Sequence, residues 1–311
     1  AAQDWDHDDL EVIIADGMST DNTRGVILEY KEQNPDLTIN VIDNPARIIP
    51  AALNMAISYA SGDIIIRLDA HCIPERTYIK RCYSHLKAGL AENVGGIWEI
   101  KPTSDHWIAR SIAVAASLPL GVGDARYRYT RSASYVDTVP FGSYWKKVFD
   151  EIGGFDETLL TNEDYELNAR LRKAGYRIYL DPEIRSIYFS RPNLNQLSKQ
   201  YWRYGYWKWK MLQRYPETIR WRQALPPLFV LFLGFLLLVS LVKPQAFMLL
   251  SFIVLLYSGI LIASSVKRVL IEKEPRLLAG IPLAIMAMHL SWGSGFIGSV
   301  VSSVVGKISQ K

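Results

Sequence analysis

The chain has 311 residues, of which 49% are hydrophobic, and a formal net charge of +4 at pH 7. This length allows about two domains of about one to two hundred residues each. The charge is too small to indicate a nucleic-acid partner. The two cysteines, Cys72 and Cys82, form no CxxC pair, which argues against a disulfide framework or a zinc site. Long uncharged runs begin only after residue 224, so the sequence predicts a soluble part followed by a membrane part.

The soluble part begins with alternating strand and helix patterns. Apolar runs predict strands over residues 11–15, 37–42 and 63–68. Capping and breaking residues predict a helix that ends near residue 33 and another over residues 51–60. This order of elements predicts an α/β fold with a mostly parallel sheet and right-handed crossovers.

Two of the predicted strands end in an aspartate. Asp16 follows the first strand, and Asp69 follows the third, with His71 two residues later. Ligands of open α/β sheets bind at the carboxyl ends of the strands, so we expect Asp16 and Asp69 to lie along one edge. Carboxylates suit Mg²⁺ or Mn²⁺, and an imidazole shifts the preference toward Mn²⁺. Taken alone, a D-x-H sequence is more often a loop acid beside a solvated histidine.

A second acidic group begins a predicted helix further along the chain. Residues Thr161 to Asp164 have the spacing of a capping box, and the helix dipole favours acids in the first turn. These two effects would explain Glu163 and Asp164 without any catalytic role. The alternative is that Asp164 is a general base, since a carboxylate at a helix start can take a proton from a hydroxyl across a cleft. A further apolar run predicts a strand over residues 136–141.

Three segments of the membrane part, at about residues 225–242, 246–266 and 278–305, are long and apolar enough to cross a bilayer. The aromatic and basic segment 199–224 predicts an amphipathic stretch at the membrane interface, with sugar stacking as the alternative. Basic residues between the second and third segments place that loop, and with it the soluble part, in the cytoplasm.

His289, inside the third segment, is either functional or a hydrogen-bond partner of a neighbouring helix. The predicted domains are residues 1–198, 199–224 and 225–311.

Four motifs follow one another along the chain: Asp16-Gly17 with Ser19 and Asp21, Asp69-Ala70-His71, Gly153-Gly154-Phe155-Asp156-Glu157 and Asn162-Glu163-Asp164-Tyr165-Glu166-Leu167. In this order they resemble the motifs of family-2 inverting glycosyltransferases, which have the Rossmann-like GT-A fold of nucleotide-diphospho-sugar transferases. The similarity covers about residues 1 to 215, and the D-A-H variant is most similar to succinoglycan-type glucosyltransferases of bacterial exopolysaccharide synthesis.

The resemblance implies roles for several of these residues. Asp16 would contact the uracil ring of a UDP-sugar donor. Asp69 and His71 would hold a divalent metal, Mn²⁺ or Mg²⁺, on the donor diphosphate. Asp164 would be the catalytic base, with Glu163 beside it at the substrate.

Two further substrate contacts, Asn54 and Arg203, are implied by position. Asn54 lies on the helix with which the family contacts the nucleotide sugar, and Arg203 would contact the diphosphate. Processive synthases carry Q-x-x-R-W at the latter position, whereas this chain has Tyr204 in place of the tryptophan. This difference argues against processive polymerisation.

The resemblance predicts a multi-pass enzyme of the bacterial inner membrane, in contact with membrane lipid. Its acceptor would be a polyprenyl-diphosphate-linked saccharide, and its product would belong to an exopolysaccharide or another cell-surface glycan. A processive β-glycan synthase and a non-catalytic, membrane-anchored sugar-binding subunit are the alternatives. Relatives begin with a further strand and helix, so the resemblance also implies an exposed sheet edge at strand 11–15 and weak UDP binding.

Overall fold

The computed structural model describes residues 2–308. The strands are β1 (Glu11–Asp16), β2 (Thr38–Asp43), β3 (Ile64–Ile66), β4 (Cys72–Pro74), β5 (Asn93–Lys101), β6 (Ser134–Tyr135), β7 (Ser143–Trp145) and β8 (Ile178–Phe189). The helices are α1 (Thr23–Gln33), α2 (Ile49–Tyr59), α3 (Tyr78–Lys87), α4 (Trp107–Ala115), α5 (Pro119–Val122), α6 (Lys147–Ile152), α7 (Glu163–Lys173), α8 (Leu194–Leu212), α9 (Trp221–Ser240), α10 (Pro244–Glu272) and α11 (Leu277–Ile308).

The chain divides into two compact units, each made of two stretches of sequence. The first unit comprises Ala1–Glu99 and Thr130–Ile187, and the second comprises Ile100–Tyr129 and Tyr188–Lys311. Residues 100–129 fall within the first predicted domain, whereas in the structure they pack with the C-terminal helices. Helix α4 in this stretch is apolar but short, and its packing partner α11 is distant in sequence, so no local pattern revealed the pairing.

The strands form two sheets, of which the smaller is a parallel pair. Strands β1 and β2 pair in parallel over their whole length, as the βαβ pattern predicted. The larger sheet has the order β3-β7-β5-β8-β4, with β6 paired to β8. Strand β7 runs antiparallel to both of its neighbours, so the predicted parallel pairing holds for β1 and β2 but not at β7. An apolar run identifies a strand but carries no information about the direction of its partner.

The predicted strand over residues 136–141 is irregular chain in the structure. Val139 and Phe141 are nevertheless almost fully buried, and this burial accounts for the apolar pattern that suggested a strand. Phe141 has φ 49°, a conformation that is sterically unfavourable for a bulky side chain. The carbonyl of the next residue, Gly142, accepts a hydrogen bond from the amide of Arg67 at 3.1 Å. This segment therefore fixes the chain just before Asp69.

Two buried clusters hold the helices of the first unit to its sheet. Helix α3 contributes Tyr78, Cys82 and Leu86 to one cluster, which includes strand residues of β5 and β8. The other cluster joins α6 and α7 through Phe149 and Leu167. Burying side chains of this size stabilises a fold by about 1.5–3 kcal/mol each. The start of α7, which carries the second acidic group, is thereby attached to a packed core.

The second unit contains three helices that are long and apolar enough to cross a membrane, as the sequence predicted. Helices α9 and α10 expose most of their apolar side chains, whereas α11 is the most buried of the three. Helices α4, α8, α9 and α10 all pack against α11, which is the central helix of this unit. His289 of α11 accepts a hydrogen bond from the Tyr257 hydroxyl and donates one to the Leu120 carbonyl, both at 2.9 Å. Hydrogen bonding between elements, one of the two alternatives for His289, is therefore confirmed.

Candidate active site

Arg67 lies between the two acidic groups that the sequence singles out. Its Nε donates to Asp69 Oδ1 at 3.1 Å, and its Nη2 donates to Glu163 Oε1 at 3.0 Å. Arg67 and Glu163 are buried, while Asp69 is half-buried. A guanidinium can join two carboxylates in this way because its donors form a rigid planar fork. The fold therefore brings Asp69 and Glu163 to opposite sides of one cation.

Asp164 follows directly in the first turn of α7 and is half-buried. Burial, and after it the charge of Glu163, raise the pKa of Asp164 to about 6, against the opposing attraction of Arg67. Its Oδ1 accepts a hydrogen bond from the Tyr165 amide at 2.7 Å. A carboxylate with a pKa this close to neutrality can both accept and release a proton under physiological conditions. A raised pKa is what a general base at this position would need, and the catalytic role of Asp164 stays a prediction.

The predicted capping box at the start of α7 is wrong. The N-cap residue is Asn162, whose side chain makes no capping hydrogen bond, and the Thr161 hydroxyl donates to the Leu160 carbonyl at 2.7 Å. Asn162 has φ 69°, a left-handed conformation that asparagine tolerates better than most residues. Backbone conformations of this kind cluster at functional sites. Helix capping by Thr161 therefore does not account for the two acids that follow it.

The motif Gly153-Gly154-Phe155-Asp156-Glu157 forms a loop that two side chains hold. Arg170 of α7 donates to the carbonyls of Ile152 and Gly154 at 2.5 and 2.6 Å, and pairs with Glu166 of the same helix. Asn54 of α2 accepts from the Phe155 amide at 2.7 Å and donates to its carbonyl at 2.9 Å. A Cβ at Gly154 would lie 2.4 Å from the Asn54 side-chain oxygen, so a larger residue there would push the Asn54 amide away from the loop.

Asn54 thus has a structural role in the fold, since its amide connects α2 to the 153–157 loop. Its expected contact with the nucleotide sugar stays a prediction. The same loop packs beside the acidic group, because the Phe155 ring lies 5.8 Å from the Arg67 guanidinium. The loop motif therefore supports the site through Arg67 and α7.

Asp16 ends β1 and lies almost fully buried. It accepts hydrogen bonds from the Ser19 hydroxyl and amide and from Arg24 Nε, the last at 2.7 Å. The Ser19 hydroxyl is the main cause that holds the pKa of Asp16 below its usual value, and Arg24 adds to it. Arg24 also pairs with Asp43 at the end of β2. The two parallel strands therefore present an ionised carboxylate at their carboxyl ends, where the sequence analysis placed it.

Comparison with known proteins identifies the family. The sequence model described as "Glycosyl transferase family 2" matches residues 1–153. Succinoglycan biosynthesis protein ExoA of Rhizobium meliloti is 31% identical over 288 residues, which are 92% of this chain and 84% of the relative. The chain belongs to glycosyltransferase family 2.

A second relative is similar over nearly the whole chain. It is the dolichyl N-acetyl-alpha-D-glucosaminyl phosphate 3-beta-D-2,3-diacetamido-2,3-dideoxy-beta-D-glucuronosyltransferase of Methanococcus voltae, 30% identical over 96% of this chain and 90% of the relative. Among solved structures, the mannosyltransferase PcManGT from Pyrobaculum calidifontis, in complex with GDP-Man and Mn²⁺, matches with a TM-score of 0.59 and 17% identity. This match covers 96% of this chain and 80% of the other. The predicted GT-A fold is confirmed.

The metal motif of this family-2 glycosyltransferase offers two donor side chains. Asp69 is half-buried and His71 is exposed, and within residues 2–308 no three His, Cys, Asp or Glu side chains group as a metal site. Mg²⁺ is commonly held by one or two carboxylates together with substrate phosphates, and imidazole is compatible with Mn²⁺. The residues therefore fit a divalent ion that takes its remaining ligands from a diphosphate and water.

The structure places Arg203 on an exposed face of α8, in the second unit. Its contact with a diphosphate stays a prediction. Arg67, in contrast, escaped the sequence analysis although it is central to the site. The available signal was an arginine directly after the run Ile64-Ile65-Ile66, since a charge bordering a buried strand needs a partner.

Proposed function

We propose that this family-2 glycosyltransferase moves a sugar from a UDP-sugar to a polyprenyl-diphosphate-linked saccharide. The reaction would invert the anomeric centre in a single displacement. The observation that carries this proposal is Asp164, a carboxylate with a raised pKa beside the Arg67–Glu163 ion pair. One base is what such a displacement requires, since only the acceptor hydroxyl must lose a proton.

The chain's residues divide the chemistry between them. Asp164 takes the proton as the acceptor oxygen attacks the anomeric carbon and the bond to the nucleoside diphosphate breaks. Asp69 and His71 would hold a divalent ion, which would neutralise the charge that develops on the departing diphosphate. Arg67 keeps Asp69 in position and compensates the buried charge of Glu163. Asp16 would accept a hydrogen bond from the uracil ring.

Two observations support a lipid-linked acceptor at a membrane. The Methanococcus voltae relative is named for action on a dolichyl-phosphate-linked sugar, and the Rhizobium meliloti relative for succinoglycan biosynthesis. The second unit contains three helices able to cross a membrane. We place the enzyme in the bacterial inner membrane as a multi-pass protein, with the active site in the cytoplasm, where UDP-sugars are available.

An assay of nucleoside diphosphate release tests the proposal. Purified protein in detergent is incubated with a panel of UDP-sugars or with GDP-mannose, together with a lipid extract as acceptor source. We expect UDP release that depends on the lipid extract and stops in excess EDTA. Release of GDP alone would contradict the proposal that the donor is a UDP-sugar. Full activity in excess EDTA would contradict the proposed metal dependence.

Product length and product stereochemistry decide the remaining points. Mass spectrometry of the lipid product is expected to show one added sugar, with the anomeric configuration opposite to that of the donor. A long polymer would favour the processive synthase. Absence of hydrolysis and transfer with every donor would favour the non-catalytic sugar-binding subunit.

A further inference from the structure

Helices α8 and α11 of the second unit border a shallow cavity of about 410 Å³, which is open to its surroundings over most of its extent. Its lining residues are Ser198, Lys199, Trp202 and Arg203 from α8 and Ser291 from α11, and most of its surface is apolar. This volume lies within the range of about 300–1,000 Å³ typical of small-molecule sites. The cavity is built entirely from the second unit and from residues that the first unit's acidic site does not use.

The two charged residues that line this cavity are both basic. Lys199 and Arg203 are four residues apart and therefore lie on one face of α8, where both are exposed. Helix α8 contains four basic residues and no acidic residue. Lysine and arginine side chains at the edge of an apolar cavity have the chemistry that binds phosphate oxygens.

The apolar part of the cavity indicates which kind of phosphate compound would bind. Trp202 stacks on Tyr206 with ring centroids 5.1 Å apart, so its indole presents a fixed apolar surface. In the same unit, α9 and α10 leave most of their leucine and phenylalanine side chains exposed. A water-soluble phosphate compound would make no contact with these apolar surfaces. A ligand with a phosphate at one end and a hydrocarbon chain at the other would contact the apolar surfaces and the two basic side chains.

We propose that the cavity between α8 and α11 binds the phosphate-bearing end of the lipid-linked acceptor. Lys199 and Arg203 contact the phosphate oxygens, and Trp202 contacts the first isoprenoid units of the lipid. This inference rests on the proposed function for the identity of the lipid. It assigns Arg203 to the acceptor rather than to the donor diphosphate, and these two assignments make opposite predictions for binding.

Direct binding of a defined lipid tests this assignment without any sugar transfer. The full chain, purified in dodecyl maltoside, is titrated with radiolabelled polyprenyl diphosphate, and the retained label gives a dissociation constant. We expect Lys199→Ala and Arg203→Ala each to weaken binding at least tenfold. Arg222→Ala removes an exposed cation that does not line the cavity and is expected to bind as wild type does. All three substituted positions are exposed, so folding should survive the changes.

Competition distinguishes a lipid site from a free-phosphate site. Polyprenol without phosphate and inorganic diphosphate without lipid are both expected to compete poorly. Equal competition by inorganic diphosphate would overturn the lipid assignment, and equal competition by polyprenol would overturn the role of the two cations. Calorimetry with UDP in the Arg203→Ala variant completes the test. A lower UDP affinity with unchanged lipid binding would return Arg203 to the donor.

The binding result is separable from the proposed function. If the protein released no nucleoside diphosphate with any donor, the proposed function would fail. The lipid titration would still be readable, because it includes no sugar donor. Conversely, normal transfer by Lys199→Ala at low acceptor concentration would refute the proposal that the cavity binds the acceptor. It would not affect the proposal that the protein is a sugar transferase. We expect that variant instead to raise the KM for the lipid acceptor and to leave the KM for the UDP-sugar unchanged.

Discussion

Arg67 controls the electrostatics around the candidate base. It is a buried cation whose hydrogen bonds go to one carboxylate on each side, Asp69 and Glu163. Without it, Glu163 would be a buried acid lacking its ion-pair partner, and breaking a buried pair in this way typically costs about 3–5 kcal/mol. The pKa of Asp164 depends on the same balance, since Arg67 lowers it and Glu163 raises it.

Replacing the base is the first test at the residue scale. Asp164→Asn keeps the shape of the side chain but removes its ability to accept a proton. We expect transfer to fall by about 10²–10⁴-fold while UDP-sugar binding stays near the wild-type value. Turnover and calorimetric binding measure the two effects separately. The matched control is Asp150→Asn, which changes an exposed acid on α6. Wild-type turnover in Asp164→Asn would refute the assignment of Asp164 as the catalytic base.

The pH profile is the second test at this scale. Asp164 has a raised pKa, and a general base accepts a proton only when it is ionised; if Asp164 is the base, kcat/KM should rise with pH and reach half its maximum near pH 6. Arg67→Gln removes a charge that lowers this pKa, and we therefore expect the acid limb to move to higher pH. Arg67→Lys keeps the charge and should restore much of the original profile. Identical acid limbs in the wild type and Arg67→Gln would show that Arg67 does not act on the base.

At the scale of elements, the contact between α8 and α11 is made by glycines. A Cβ at Gly205 would lie 2.0 Å from the Trp292 carbonyl oxygen, and one at Gly295 would lie 2.1 Å from the Trp202 carbonyl oxygen. The two helices therefore approach backbone to backbone, as small residues allow. This close packing also fixes the wall of the proposed lipid site. Side chains of any size at these positions would force the helices apart.

Alanine at Gly205 tests this packing. We expect Gly205→Ala to destabilise the protein by about 1–3 kcal/mol, because the added methyl group overpacks a close contact. Gly234→Ala in α9 is the matched control, since a Cβ there meets nothing within 4 Å. That change should be neutral or slightly stabilising, given the higher helix propensity of alanine. Thermal unfolding in detergent compares them, and equal midpoints would contradict the contact.

At the scale of the whole molecule, the three long apolar helices raise the question of orientation. Lys267, Arg268, Lys273 and Arg276 lie between the second and third predicted segments, whereas Lys243 is the basic residue between the first and second. Positively charged loops remain in the cytoplasm. We therefore propose a cytoplasmic location for the end of α10 and for the catalytic unit.

Reporter fusions test this orientation. A phosphatase fused after Val242 is expected to be active, because the loop before α10 would lie outside the cytoplasm. The same reporter fused after Lys273 should be inactive, and a cytoplasmic reporter such as a fluorescent protein should show the opposite pattern. A reversed result would place the site outside the cytoplasm and remove the argument for a UDP-sugar donor.

The sequence by itself determined the features that depend on neighbours in the chain. Local periodicity located β1, β2 and α2, and the length of apolar runs located the three long C-terminal helices. The order of short motifs identified the family and pointed to Asp69 and Asp164. These features could be predicted because strand pattern, helix boundaries and hydrophobic length are encoded within a few turns of chain.

Only the tertiary structure decided the features that join residues distant in sequence. The antiparallel pairing of β7 with β3 and the packing of α4 against α11 could not be predicted from the local hydrophobic pattern of the sequence. The pairing of Arg67 with Glu163 is of the same kind, since the arginine follows one strand and its acid begins a later helix. Burial then made that pair necessary, because a buried charge without a partner is too costly to retain. The electrostatics of the base therefore follow from the fold and not from the motif that contains it.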